Sequence, residues 1–159
     1  MKLKSIVAAL VLLIATTMSA HAFGIGAQFN FNAGKVFVPG VAAVLSPSDN
    51  IHIAANWWLG ADKTSIVGAT LDVVPLNVPL IGGFHFTLGG GIFANTVFAK
   101  DFGIEAGLRV PIGFNLLLGN KVFEIYTHVA PSWGVYFLPS LEFGEIFFPI
   151  AVGIRLWFR

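Results

Sequence analysis

Hydrophobic and polar residues alternate with a period of two along most of the chain after residue 22. The last segment is the clearest case. Its large apolar residues share one parity and are Phe148, Ile150, Val152, Ile154, Leu156 and Phe158. Small or polar residues take most of the other parity, which holds Pro149, Ala151, Gly153, Arg155 and Trp157. Side chains of a β-strand point alternately to its two faces, so the pattern predicts a strand with one apolar face.

Seven further segments alternate in the same way, and glycine, proline or charged residues separate them. In chain order, the eight predicted strands are residues 23–32, 36–46, 51–60, 65–75, 80–94, 101–113, 121–133 and 148–158. The sequence therefore predicts an all-β protein. After residue 22 it contains no uninterrupted apolar stretch of the roughly 20 residues that a transmembrane helix needs.

The charged residues indicate which solvent the apolar face meets. Most of them lie in the predicted turns or at strand ends. Those in the interior of the predicted strands all have the inward parity, and they are Asp72, Glu105, Arg109, Glu124 and Arg155. A soluble barrel would have the reverse arrangement, with apolar residues inside. Lipid permits strands only as a closed barrel, because every backbone polar group must be paired. We therefore predict an eight-stranded antiparallel transmembrane β-barrel, a meander, over residues 23–159.

Residues 1–22 have the organisation of a cleaved signal peptide. Lys2 and Lys4 precede an apolar core at residues 6–15, and Ala20-His21-Ala22 fits a small-x-small cleavage site. A barrel chain that is exported in this way is expected in the outer membrane of a Gram-negative type envelope.

Composition excludes several classes of protein. The 159 residues are 56% hydrophobic and only 11% charged, which a water-soluble enzyme would not tolerate on its surface. The chain contains no cysteine, so neither disulfides nor thiolate metal sites can form. A formal net charge of +1 gives no electrostatic basis for binding nucleic acid.

Three short motifs resemble those of small outer-membrane barrels of the OmpA-like transmembrane type. They are Asn56-Trp57-Trp58, the segment from Gly107 to Gly113, and the ending from Gly153 to Phe158. Within that group, the chain is most similar to a family of short spirochaete outer-membrane proteins. The resemblance implies outer-membrane lipid as the surroundings and a monomeric barrel. It also implies that Gly153, Leu156 and Phe158 form a C-terminal signal for the barrel assembly machinery.

The inward charges are expected to form an ion-pair network in the lumen. Counting from the predicted strand ends places Arg109, Glu124 and Arg155 at similar heights on adjacent strands, with Glu124 in the middle. The same count places Glu105 beside His128 about one layer higher. Asp72 also points inward.

Catalysis and metal binding are not expected. Glu124, His128 and Ser132 share a face, but strand residues four apart are separated by roughly 13 Å, too far for a catalytic triad. His52, His85 and His128 lie on strands that are not neighbours, and the simpler expectation is that they fill the lumen as polar side chains. We therefore predict no catalytic residues, no metal and no cofactor.

Three roles are compatible with such a barrel. The first is a structural or surface-interaction protein whose lumen is filled by polar and charged side chains. The alternative is a narrow pore for ions or small solutes. The third is a surface-binding protein that uses a long extracellular connection, predicted at residues 134–144. The many inward glycines leave the first two open, since they could hold water or make room for large side chains.

Overall fold

The computed structural model describes residues 22–32, 38–60, 64–100, 102–138 and 140–159. They form strands but no helix, and the bounds of the strands are β1 Phe23–Asn32, β2 Val38–Ser48, β3 Ile51–Leu59, β4 Ser65–Ile81, β5 Phe84–Phe98, β6 Gly103–Arg109, β7 Ile112–Leu118, β8 Phe123–Val129, β9 Ser132–Leu138, β10 Glu142–Phe143 and β11 Pro149–Phe158. Accordingly, no helix in these ranges is long and apolar enough to cross a membrane. The predicted signal peptide, residues 1–22, lies outside the described residues except for Ala22.

The strands close into an eight-stranded antiparallel barrel, which confirms the predicted fold. Each of the eight strands of the barrel wall pairs with the next along the chain, and β1 pairs with β11 from Phe23↔Phe158 to Asn32↔Pro149. In the barrel wall, β6 and β7 act as one strand, β8 and β9 act as another, and β10 precedes β11 on the last. We call the end that holds Phe23 and Phe158 the terminal end, and the other the far end.

Two prolines interrupt the long wall strands without opening the sheet. Pro111 separates β6 from β7, and Pro131 separates β8 from β9. The carbonyl group of Pro111 still accepts a hydrogen bond from the amide of Gly89 at 2.9 Å. The carbonyl group of Pro131 accepts one from the amide of Val110, also at 2.9 Å. Only the missing N–H of each proline is lost to the ladder, so pairing continues on both sides.

The wall follows the predicted alternation. On β11, Val152 and Ile154 are 45% and 50% exposed on the outer face, whereas Arg155 is 4% exposed on the inner face. The other charged residues of the predicted strands, Asp72, Glu105, Arg109 and Glu124, are buried inside as expected. An apolar outer wall around a charged interior suits a lipid environment.

The hairpin between β4 and β5 is longer than predicted. Its turn lies at Gly82 and Gly83, with φ of +56° at Gly82, and not at residues 76–79. The predicted strands 65–75 and 80–94 had left residues 76–79 as the connection, but these residues continue β4. The register between β3 and β4 ends at Val73. Beyond Val73, the edge of β4 that faces β3 has no partner strand, and a proline is tolerated there because no ladder hydrogen bond needs its N–H.

The predicted end of the sixth strand at residue 113 is also wrong. β7 continues to Leu118, and the chain reverses through a turn in which Gly119, Asn120 and Lys121 all have positive φ. Gly113 faces the lumen within the strand and is buried there. Proline and glycine close together are read as a turn signal, but here the sheet pairs straight through both.

The long connection predicted at residues 134–144 is largely a hairpin. β9 runs to Leu138, and β10 returns with Glu142 opposite Tyr136 and Phe143 opposite Val135. The amide of Gly144 then donates to the carbonyl of Gly134 at 2.9 Å. Most of the segment that was predicted as a long connection is therefore paired through its backbone.

Candidate functional site in the barrel interior

A buried carboxylate gathers three donors near the terminal end. Glu124 is 3% exposed and accepts hydrogen bonds from Arg155 Nη1 at 3.1 Å, Trp157 Nε1 at 2.6 Å and Asn115 Nδ2 at 2.9 Å. Arg155 lies directly across from Glu124 in the β8–β11 register, so neighbouring strands hold the pair together. We call these four residues the terminal cluster. The ion pair inside it is charge-assisted and fully enclosed.

Aromatic rings enclose the guanidinium of Arg155. Its Cζ lies 4.5 Å from the centre of the Tyr126 ring and 5.3 Å from that of Trp157. Both distances allow cation–π attraction. Space for these groups comes from inward glycines, because a Cβ on Gly24 would lie 2.7 Å from Arg155 Cδ, and one on Gly153 would lie 2.5 Å from the Tyr126 ring. These two glycines therefore make room for large side chains.

Gly24→Val should destabilise the refolded barrel by about 1–3 kcal/mol, because the added methyl groups overpack against Arg155 and Trp157. Gly90→Val is the matched control, since nothing lies within 4 Å of a Cβ there. Urea unfolding of both variants in lipid vesicles measures the difference. Equal effects on the two variants would contradict this account of the inward glycines.

A second buried ion pair lies closer to the middle of the lumen. Arg109 Nε and Asp72 Oδ1 are 3.2 Å apart, although their alignment does not make a hydrogen bond. Arg109 Nη2 also lies 3.2 Å from His128 Nε2. Arginine can only donate, so His128 Nε2 acts as the acceptor in this contact. We call Asp72, Arg109 and His128 the middle cluster.

The predicted pairing of these charges is corrected on two points. Glu124 lies against Arg155 as expected, but Arg109 on β6 pairs with Asp72 on β4, over Gly91 of the intervening β5, and not with Glu124. Glu105 accepts a hydrogen bond from Asn95 at 3.2 Å, whereas its predicted partner His128 contacts Arg109. The cause is the late turn after β7: Arg109 lies opposite Ser132, and it is Leu117 that lies opposite Glu124.

A chain of neutral hydrogen bonds crosses the lumen beside the ion pairs. Tyr126 donates to Gln28 at 2.9 Å, Gln28 to Asn30 at 2.8 Å and Asn30 to Asn56 at 2.9 Å. Asn56 in turn donates to the backbone carbonyl of Ala54 at 3.3 Å. Three strands, β8, β1 and β3, are thereby connected through side chains, and the buried amides have partners as their burial requires.

The residues considered for a triad and for a metal site are engaged separately. Ser132 donates to the carbonyl of Ala130 at 2.7 Å, while Glu124 and His128 belong to different clusters. His52 Nδ1 lies 2.8 Å from the Ser46 hydroxyl. Within the described ranges, no group of three or more His, Asp or Glu side chains is arranged to hold a metal ion.

Two cavities enter the barrel, one from each end. The cavity at the far end has a volume of about 430 Å³, and the cavity at the terminal end has about 290 Å³. Between them lies a space of about 50 Å³, lined by residues of both clusters. That volume suits one or two water molecules. The two clusters and the amide chain therefore occupy the middle of the lumen as a plug.

Reasoning from sequence missed several residues of the plug. Gln28, Asn30, Asn56 and Tyr126 have the inward parity, which is the signal that could have placed them in the network. Asn115 was missed because the sixth strand was predicted to end before it.

The residues of the proposed assembly signal lie on both faces of β11. Leu156 and Phe158 are 45% and 46% exposed on the outer wall, and Gly153 is buried in the lumen. Phe158 also stacks on Phe23 with ring centres 4.8 Å apart. Recognition by the assembly machinery stays a prediction.

Comparison with known proteins shows the fold. No family model and no curated protein matches the chain, so membership of the spirochaete family stays a prediction. Among solved structures, the N-terminal β-barrel domain of Pseudomonas aeruginosa OprF is similar with a TM-score of 0.50 and 10% identity, over 87% of this chain and 98% of that one. Neisserial surface protein A has a TM-score of 0.53 and 10% identity, over 85% and 95% respectively. The chain has the eight-stranded barrel fold that these outer-membrane barrels share.

Proposed function

We propose that the protein is an integral outer-membrane barrel with a closed lumen and a structural or surface-interaction role. The observation that carries this proposal is the plug, in which two ion pairs and a chain of amides leave only about 50 Å³ between the two end cavities. A hydrated ion would have to displace buried, charge-assisted contacts to pass. We further propose that the chain is exported by its signal peptide, inserted by the barrel assembly machinery, and works as a monomer without catalysis.

The apolar rim at the far end supports an interaction with lipid or with a partner surface. Leu141, Phe143 and Ile146 are 71%, 75% and 63% exposed. Trp133 stacks on Phe143 with ring centres 5.8 Å apart, which stiffens this rim. Aromatic residues are favoured at membrane interfaces, where one side of the ring is apolar and the other is wet.

The second candidate function is a narrow pore, and the two end cavities favour it. They approach the plug from opposite ends, so a rearrangement of the plug alone would connect them. In this case the terminal cluster would act as the gate, because Arg155 and Glu124 would have to separate.

Planar-bilayer recordings distinguish the two functions. We expect the purified, refolded protein to give a quiet bilayer, because the plug blocks the lumen. A double variant, Glu124→Ala with Arg155→Ala, removes much of the plug and should give openings if it folds. Stable unitary openings of the unmodified protein would contradict the closed barrel and support the pore.

A further inference from the structure

The far-end cavity combines features that are usual in small-molecule sites. Its volume of about 430 Å³ lies within the common range for ligand pockets, and the mouth of a β-barrel is a frequent position for one. Its lining includes several aromatic residues, which are Trp58, Phe93, Tyr136 and Phe147. Phe93 and Phe147 meet edge to face with ring centres 5.4 Å apart, so part of this wall is packed into a fixed shape.

One buried carboxylate in this cavity lacks a cationic partner among the described residues. Glu105 is 6% exposed, and its one hydrogen-bond donor there is the neutral amide of Asn95, at 3.2 Å. Its other oxygen, Oε1, lies over Gly134, where an added Cβ would be 2.9 Å from it and 2.8 Å from Phe93 Cζ. Oε1 and the Phe93 ring thus border the same small space above Gly134. Burying a carboxylate without a counter-charge is costly, and a bound cation would supply that counter-charge.

The rest of the cavity adds acceptors and further negative charge. Asn32 lines it, and its buried Oδ1 has no hydrogen-bond partner within the part of the chain that the structure describes. Glu142 lies at its rim. Arg109 forms its floor, but the positive charge there is already balanced by Asp72 at 3.2 Å. A ligand that supplies both N–H donors and positive charge therefore fits better than an anion.

We infer that the far-end cavity binds a small organic ammonium ion, with its charged nitrogen at Glu105 and its apolar body against Phe93 and Phe147. Aromatic faces attract cations, and Glu105 adds a charge-assisted hydrogen bond. The proposed outer-membrane orientation, with the terminal end in the periplasm, places the cavity on the outer side of the membrane. The inference deepens the proposed surface-interaction role. It rests on the proposed function only for the placement of the cavity on the outer side of the membrane.

Calorimetric titration of the full refolded barrel in a non-ionic detergent tests the site. The probe is 2-phenylethylammonium, and its neutral counterpart is 2-phenylethanol. We expect saturable binding of one ammonium ion per barrel, with the alcohol weaker by about tenfold or more because it lacks the charge-assisted bond. Equal affinities for the two probes, or no saturable heat with the ammonium ion, would overturn the inference.

Two variants locate the binding site. Glu105→Gln should weaken binding of the ammonium ion by about tenfold or more, whereas Asp49→Asn, an exposed carboxylate at the opposite end, should leave it unchanged. Unchanged binding by Glu105→Gln would refute the assignment. If Glu105→Gln does not refold, the difference in affinity between the ammonium ion and the alcohol on the unmodified protein still decides whether the cavity selects a cation. If the protein gives channel openings but still binds the ammonium ion, the closed lumen is refuted and the binding site stands. If the bilayer stays quiet and the ammonium ion does not bind, the binding site is refuted and the closed lumen stands.

Discussion

Glu124→Leu should lower the free energy of unfolding of the refolded barrel by about 3–5 kcal/mol, because it leaves the buried guanidinium of Arg155 without its counter-charge. Trp157 and Asn115 lose an acceptor in the same variant. Urea titration in lipid vesicles, followed by tryptophan fluorescence, measures the loss. Glu142→Leu is the control, since this carboxylate is exposed at the far end.

Paired substitutions then identify the partner of Glu124. Combining Arg155→Met with Glu124→Leu should recover part of the loss, because no charge is stranded. Arg109→Met with Glu124→Leu should recover nothing, since Arg109 is paired with Asp72. A double-mutant cycle reports both coupling energies. Coupling of Glu124 to Arg109, and none to Arg155, would contradict the terminal cluster.

Ile154→Arg should impair insertion, at a cost of about 2–4 kcal/mol, because it places a charge on the lipid-facing wall at mid-depth. Ile154 lies beside Ala27, near the middle of β1, and is 50% exposed. Folding yield into vesicles, scored by the heat-dependent change in gel mobility, measures the effect.

Ile104→Arg is the matched comparison, because it makes the same change on the same face at another depth. Ile104 is the second residue of β6, and its position near the far end reduces the expected cost to about 0–1 kcal/mol. Equal impairment by the two variants would mean that the depth assignment is wrong. Gly103→Ser, which faces the lumen, should be as mild as Ile104→Arg.

Alternation along the chain is sufficient to specify the barrel wall. Because side chains on a strand alternate strictly, the parity of Ile154 and Arg155 already assigns one to lipid and the other to the lumen. The same rule places Asp72, Glu105, Arg109 and Glu124 inside. Chain length and the number of alternating segments then require eight strands, and lipid requires that they close.

Which inward residues meet was decided only by the tertiary structure. Pairing depends on where each strand turns, and prolines at 75, 79 and 111 resemble turns although the sheet runs through them. The sixth strand was predicted to end five residues too early, at residue 113 and not at Leu118. For this reason the prediction paired Arg109 with Glu124 and not with Asp72. Arg155 and Glu124 were placed correctly because β8 and β11 are adjacent and their ends are less ambiguous. Contacts between strands that are two apart in the wall, such as Tyr126 on β8 with Gln28 on β1, pass over the glycine of the strand between them, here Gly153 on β11. They arise from the closure and stagger of the barrel, which local alternation does not encode.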